Sequence, residues 1–291
     1  MTEIASSIVD IAGAPIHYAR AGHGRPLVLL HGWPEFWLTW KPVMERLADR
    51  FDLIAPDLRG FGQSGHPNPL PSDQVGPDVH TADLLGLLDA LGLEKIGIVS
   101  HDVGAYIAQI MGREHAGRLT GLFFFDIPYP GVGNRWALPE HLKEIWYQSF
   151  HQQPWAAEMV GASRDTCRMY FKHFLEHWSA KPGAFDAVLE DWVDNFMSRG
   201  NLQGGFNWYL SNNRARIAIM QGKAPPVTPI GVRTYSAWGA EDRVLKAEWG
   251  DRLGEYFTDL EFAPMPGLGH FPHMEDPDRA AAEIARFFGR V

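Results

Sequence analysis

Short uninterrupted apolar runs punctuate the first 130 residues, and the segments between them carry apolar positions at helical spacing. Pro26-Leu27-Val28-Leu29-Leu30, residues 51–56, Ile96-Gly97-Ile98-Val99-Ser100 and Gly121-Leu122-Phe123-Phe124-Phe125 are the runs. An amphipathic stretch over residues 40–48 and a helical pattern with Leu84, Leu85, Leu87, Leu88 and Leu91 lie between them. Strands that lack internal alternation and are separated by helices predict a mostly parallel sheet covered on both faces, an α/β core. The rhythm breaks over residues 131–225, where aromatic-rich helical pattern fills 141–150, 165–177, 183–198 and 206–220. Pro225, Pro226 and Pro229 mark a return linker. Strand and helix then alternate again: a strand at 232–236, a helix at 247–256, a strand at 260–263 and a last helix at 279–288. The expected organisation is a core built from residues 1–130 and 226–291, interrupted by a helical cap over 131–225.

Composition narrows the function classes. The chain has 291 residues, 26 Lys plus Arg against 35 Asp plus Glu, and a formal charge of −9. That balance argues against nucleic acid or an anionic membrane surface as partner. Cys167 is the single cysteine, so neither an internal disulfide nor a thiolate metal cluster is expected. No apolar run approaches the roughly 20 residues that span a bilayer. The start, Met1-Thr2-Glu3-Ile4, lacks the basic-then-apolar layout of a secretory signal, so a cytoplasmic location is expected. No His/carboxylate cluster has ligand spacing such as H-E-x-x-H, and no metal or cofactor is expected.

The chemistry concentrates at the ends of the runs. In Ile98-Val99-Ser100-His101-Asp102-Val103-Gly104-Ala105 an apolar strand enters a helix pattern through small–x–Asp–x–small. That is the layout of the tight strand-to-helix turn that exposes a nucleophile, with Asp102 in the place usually held by serine. The plain alternative is that Asp102 caps the helix. Asp242 in Trp238-Gly239-Ala240-Glu241-Asp242 and His270 in Gly267-Leu268-Gly269-His270-Phe271 each follow a later predicted strand. Nucleophile, acid and histidine in that chain order match the α/β-hydrolase arrangement, although a surface turn and a packed loop histidine are the readings for either residue alone. His31-Gly32-Trp33-Pro34 follows the strand ahead of the first core helix; its Trp33 N–H, with that of Val103, is the expected oxyanion hole. The Trp33–Pro34 bond is a candidate cis peptide.

With these motifs on the page, the sequence resembles the α/β-hydrolase-fold epoxide hydrolases, with haloalkane and fluoroacetate dehalogenases as near relatives. His31-Gly32-Trp33-Pro34-Glu35, Asp57-Leu58-Arg59-Gly60-Phe61-Gly62-Gln63-Ser64, Ser100-His101-Asp102-Val103-Gly104 and Gly269-His270-Phe271 carry the resemblance. It implies attack by a carboxylate on an sp³ carbon, which epoxide and carbon–halogen chemistry share. Two segments bear on the choice. Residues 147–154 are similar to the cap segment holding one oxirane-binding tyrosine, and Gly205-Phe206-Asn207-Trp208-Tyr209 to that holding the other. The resemblance thus makes Tyr147 and Tyr209 the donors to an epoxide oxygen, against plain aromatic packing. Val103 stands where haloalkane dehalogenases place tryptophan, Val103 and Tyr106 where fluoroacetate dehalogenases place arginines, and Tyr147 and Gln148 near where the latter carry a cap His-Trp pair, so no anion-binding site is expected. Asp126, in Phe125-Asp126-Ile127-Pro128, stands where some dehalogenases carry the acid and is the alternative to Asp242. Glu35 is expected to hold the oxyanion loop or a water; His101 and His273 read as packing residues. The expected activity is hydrolysis of a small apolar epoxide to a vicinal diol through an aspartyl ester. A dehalogenase with the same triad and a non-catalytic ligand-binding member of the fold are the alternatives.

Overall fold

A computed structural model describes residues 3–64, 71–198 and 200–291; Met1, Thr2 and Gly65 lie outside the described residues. Eight strands form one sheet: β1 (Ala5–Ile11), β2 (Ala14–Gly22), β3 (Arg25–Leu30), β4 (Phe51–Pro56), β5 (Ile96–His101), β6 (Leu119–Phe125), β7 (Thr234–Gly239) and β8 (Leu260–Met265). Their spatial order is β1-β2-β4-β3-β5-β6-β7-β8. From β4 onward all pairs are parallel, whereas β1–β2 and β2–β4 are antiparallel. The apolar-run strands all appear; the β1–β2 hairpin is the addition that the pattern of runs did not announce.

Successive side chains of a strand point to opposite faces, and both faces here are covered. Val28 and Leu30 join the core on one side, Leu27 and Leu29 the core on the other. That is why the runs lack polar positions. The first face packs against α2 (Pro77–Ala90) and α3 (Val103–Glu114), after α1 (Lys41–Leu47) has covered the second together with the C-terminal helix over 277–288.

Between β6 and β7 come α4 (Trp146–Phe150), α5 (Ala156–Val160), α6 (Arg164–His177), α7 (Leu189–Met197), α8 (Asn201–Ser211) and α9 (Asn213–Met220). No strand occurs there among the described residues. The single helix expected over 206–220 is two, broken at Asn212. The stretch expected as helix at 247–256 is a run of 3₁₀ turns over Ala247–Glu255. The chain closes with α10 (Pro272–Glu275) and α11 (Pro277–Phe288); the Asp276 side chain accepts from Arg279 N–H at 3.1 Å and Pro277 opens the helix, a normal N-terminal cap. No described helix is long and apolar enough to cross a membrane.

Candidate active site

The turn after β5 carries Asp102 at φ +43°, a conformation L side chains rarely adopt. Its side chain caps no helix N–H, which removes the N-cap reading. The turn is possible because Gly104 has no side chain: a Cβ there would sit 2.5 Å from the Leu30 carbonyl oxygen. Gly32 is under the same constraint, with its missing Cβ only 2.6 Å from that of Asp102. The turn and the loop after β3 are thus pressed together, and Gly104 N–H donates to the His31 carbonyl at 3.0 Å. Trp33 and Val103 follow Gly32 and Asp102 directly on these two segments, and the Trp33–Pro34 bond is cis.

His270 faces Asp102, with Nε2 at 3.6 Å from Oδ2, and its Nδ1 lies 2.7 Å from Asp242 Oδ2. The other Asp242 oxygen accepts Val244 and Leu245 N–H at 2.7 and 3.0 Å, so the carboxylate is fixed from behind. Burial works against an imidazolium at His270, but the carboxylates of Asp242 and Asp102 outweigh it and hold the pKa well above its ordinary value. Asp126 ends the neighbouring strand and makes no hydrogen bond to His270: one oxygen accepts Gly239 N–H at 2.9 Å. Burial, and then the charge of Asp242, push the Asp126 carboxyl well above the usual range, which favours its neutral form.

Above Asp102 lies a mostly apolar cavity of about 230 Å³, walled by the β6 and β7 loops and by α4, α8 and α9. Tyr147 and Tyr209 both line it with Asp102. Tyr147 stacks on Trp33 at 4.9 Å and 7°, and Tyr209 meets Tyr147 edge-on at 5.5 Å. Gln148 Nε2 donates to the Tyr147 hydroxyl oxygen at 3.2 Å, leaving the phenol proton for another acceptor. Burial first, with the Asp102 charge adding to it, raises the Tyr147 pKa; at Tyr209 burial leads, followed by Tyr147 and Asp102. Both hydroxyls therefore keep their protons. A carboxylate, a histidine–carboxylate pair and two phenol donors can perform nucleophilic displacement followed by hydrolysis.

Residues 25–277 match the family model described as alpha/beta hydrolase fold. The chain belongs to that alpha/beta hydrolase fold family. It is a hydrolase. It is 30% identical over 299 residues to the soluble epoxide hydrolase of Corynebacterium sp. (strain C12), covering 99% of this chain and 98% of that protein. It is also 30% identical over 277 residues to epoxide hydrolase 4 of Mus musculus, covering 92% and 74%. Among solved structures it is similar to the epoxide hydrolase CorEH without ligand, at TM-score 0.83 and 25% identity, covering 99% of each chain.

Around Asp102, Asp242 and His270 this alpha/beta hydrolase carries further buried groups, of which the sequence pointed to Glu35 alone. Glu35 is fully buried; Oε2 accepts Gly32 N–H at 2.8 Å and faces His101 Nδ1 at 2.6 Å. Its Oε1 accepts from Thr39 Oγ1 at 2.6 Å and faces His273 Nε2 at 2.8 Å. Glu35 thus holds the loop that carries Gly32 and Trp33. Burial opposes its charge, yet His101 and His273 keep its carboxyl well below the usual range. His101 Nε2 reaches the His270 carbonyl at 2.7 Å. His101 thus bridges the Glu35 side chain and the His270 carbonyl and is more than a packing residue. The Glu275 carboxylate accepts Gly269 N–H at 3.0 Å and Phe271 N–H at 3.1 Å, pinning the loop of His270. Arg216 of α9 also lines the cavity. Helical spacing did not announce it, because Tyr209 and Arg216 lie on separate helices, α8 and α9, divided at Asn212.

Proposed function

We propose that the protein hydrolyses an epoxide to a vicinal diol through an ester on Asp102. The observation that carries this reading is the tyrosine pair sharing one cavity with Asp102. Opening an oxirane makes an alkoxide, which needs a proton donor, whereas a departing halide needs none. The names of the relatives agree with the reading.

In the first step an Asp102 oxygen bonds to an oxirane carbon, the carbon–oxygen bond breaks, and Tyr147 or Tyr209 gives its proton to the ring oxygen. The step consumes the Asp102 charge. That charge helps to hold both tyrosine pKa values up and the His270 pKa up. Esterification therefore makes the phenols better acids as the proton is needed and lowers the His270 pKa. The imidazolium gives its proton to solvent and becomes the neutral base, taking one back when the Asp102 charge returns.

In the second step His270, oriented by Asp242, takes a proton from water, and the hydroxide attacks the ester carbonyl. Val103 and Trp33 N–H groups receive the oxyanion. Collapse expels the diol oxygen, which takes the proton from His270, and the Asp102 acid returns a proton to the tyrosinate. The cavity's apolar lining suits an apolar body on the epoxide.

Incubation with styrene oxide and, separately, with 1-chlorobutane tests the reading. Diol from the first and no chloride from the second is expected. Chloride release without diol would make the protein a dehalogenase; neither product, with both compounds still bound, would make it a binding member of the fold.

A further inference from the structure

Arg216 is the charge in the cavity that the proposed reaction leaves unused. Arg20 and Arg59, also half-buried, are matched by carboxylates: Arg20 binds Asp52 through two bonds at 2.8 and 2.7 Å, and Arg59 binds Asp83. Arg113, which bonds to the Thr228 carbonyl and the Gln109 amide oxygen instead, does not line the cavity. Arg216 is half-buried too, yet its hydrogen bonds go to neutral amide oxygens, those of Gln148 and, at 3.0 Å, Asn213. Its Nε has no partner among the described residues. Burial lowers its pKa, and the groups that resist this are the hydroxyls of Tyr147, Tyr209 and Tyr106 rather than any acid. Guanidinium groups taken partly out of water are ordinarily paired, because an unpaired buried charge is costly. This one stands in the wall of an otherwise mostly apolar cavity that also holds the Asp102 carboxylate.

We infer that the substrate carries a carboxylate, which Arg216 binds while the oxirane lies between Asp102 and the tyrosines. The inference rests on the epoxide reading and adds the substrate class to it. Gln148 links the two functions: it accepts from Arg216 and donates to Tyr147, so the anion site is one side chain away from the hydroxyl that meets the ring oxygen. The carboxylate therefore lies few bonds from the oxirane. Asp102 repels the anion and Arg216 attracts it, so the two charges orient the substrate with its acid end toward α9.

The test is the ratio of kcat/KM for an epoxy acid to that for its primary amide, which has the same shape and no charge. The pairs are 3-phenylglycidate with its amide and 4,5-epoxypentanoate with its amide. The ratio cancels any effect of Arg216 on the acidity of Tyr147. The wild type should prefer at least one acid, and Arg216→Gln should lower that ratio roughly tenfold to a hundredfold, the value of a charge-assisted hydrogen-bonded pair. Arg216→Lys should keep part of the preference, since charge remains but the planar fork is lost. Wild type that favours both amides, or a ratio that Arg216→Gln leaves unchanged, overturns the inference.

A second measurement separates this from failure of the epoxide reading. Hexanoate and hexanamide are titrated against intrinsic fluorescence, since Trp136 and Trp208 line the cavity. If no epoxide is turned over but hexanoate binds more tightly than hexanamide and loses that advantage in Arg216→Gln, the anion site stands and the epoxide reading falls. Equal binding of hexanoate and hexanamide by the wild type refutes the anion site.

Discussion

Replacing both Tyr147 and Tyr209 by Phe removes two oxygen atoms and leaves the aromatic packing in place. Tyr147 is 2% exposed and stacks on Trp33, and Tyr209 is 6% exposed, so the rings are held by neighbours that phenylalanine also satisfies. What changes is the supply of protons above Asp102. General-acid assistance is worth about 10²–10⁴-fold, or about 3–5 kcal/mol of barrier at 1.36 kcal/mol per decade. One hydroxyl can serve when its partner is lost, so each single variant should slow ring opening partially and the double variant should lose nearly all of it. In the proposed mechanism ester breakdown uses His270 and Asp242, so it should change little. Stopped-flow tryptophan fluorescence reads the two phases separately, because Trp33 lies directly against Tyr147. Ester formation by the double variant at the wild-type rate would make the tyrosines packing residues and remove the support for epoxide over halide chemistry.

Other substitutions probe the groups behind the nucleophile. Asp242→Asn should slow ester hydrolysis on the order of 10⁴-fold, the scale of losing an orienting carboxylate. Asp126→Asn should cost far less, since a neutral buried acid is replaced by its isostere; single-turnover rates that rank the two the other way would move the acid to Asp126. Glu35→Gln breaks the buried Glu35–His101–His273 network and should destabilise the fold by about 3–5 kcal/mol, read from urea midpoints. A shift under 1 kcal/mol, on the order of an exposed ion pair, would contradict the buried pairing. His80 is buried with neither ring nitrogen hydrogen-bonded, and burial, with the charges of His31 and Arg59, pulls its pKa to about 3. The unfolded chain binds a proton near pH 6.5 that the folded His80 refuses, so this stability is whole above pH 6.5 and is lost as pH falls toward 3. At about 1.4 kcal/mol per pH unit, His80→Leu should shallow the decline in thermal midpoint between pH 6.5 and 4.5; an unchanged slope would show that His80 does not drive it.

The parallel core was legible because its strands are buried on both faces, and nothing polar interrupts Leu27–Leu30 or Phe123–Phe125. The β1–β2 hairpin was not, because β1 lies at the sheet edge with most positions exposed and lacks such a run. Asp102, Asp242 and His270 were legible as candidates from their places after β5, β7 and β8. In the sequence, resemblance alone favours Asp242 over Asp126, since both follow adjacent strands; side-chain direction, which the sequence does not carry, is what puts Asp242 and not Asp126 against His270. The Glu35–His101–His273 cluster joins positions 35, 101 and 273, which no local spacing connects. Arg216 was missed for a related reason: the break at Asn212 divides the expected helix, and an arginine gives no sign in sequence that its acid partner is lacking.

The central claim is that Asp102 forms the covalent ester. A single turnover of an epoxide in heavy-oxygen water, followed by mass spectrometry of the Asp102 peptide and of the diol, tests it directly. Water attacks the ester carbonyl, so the label should enter the Asp102 carboxylate and the first-turnover diol should take its new oxygen from the enzyme. Label in the first-turnover diol, with an unlabelled Asp102, would mean direct attack by water and would contradict the account.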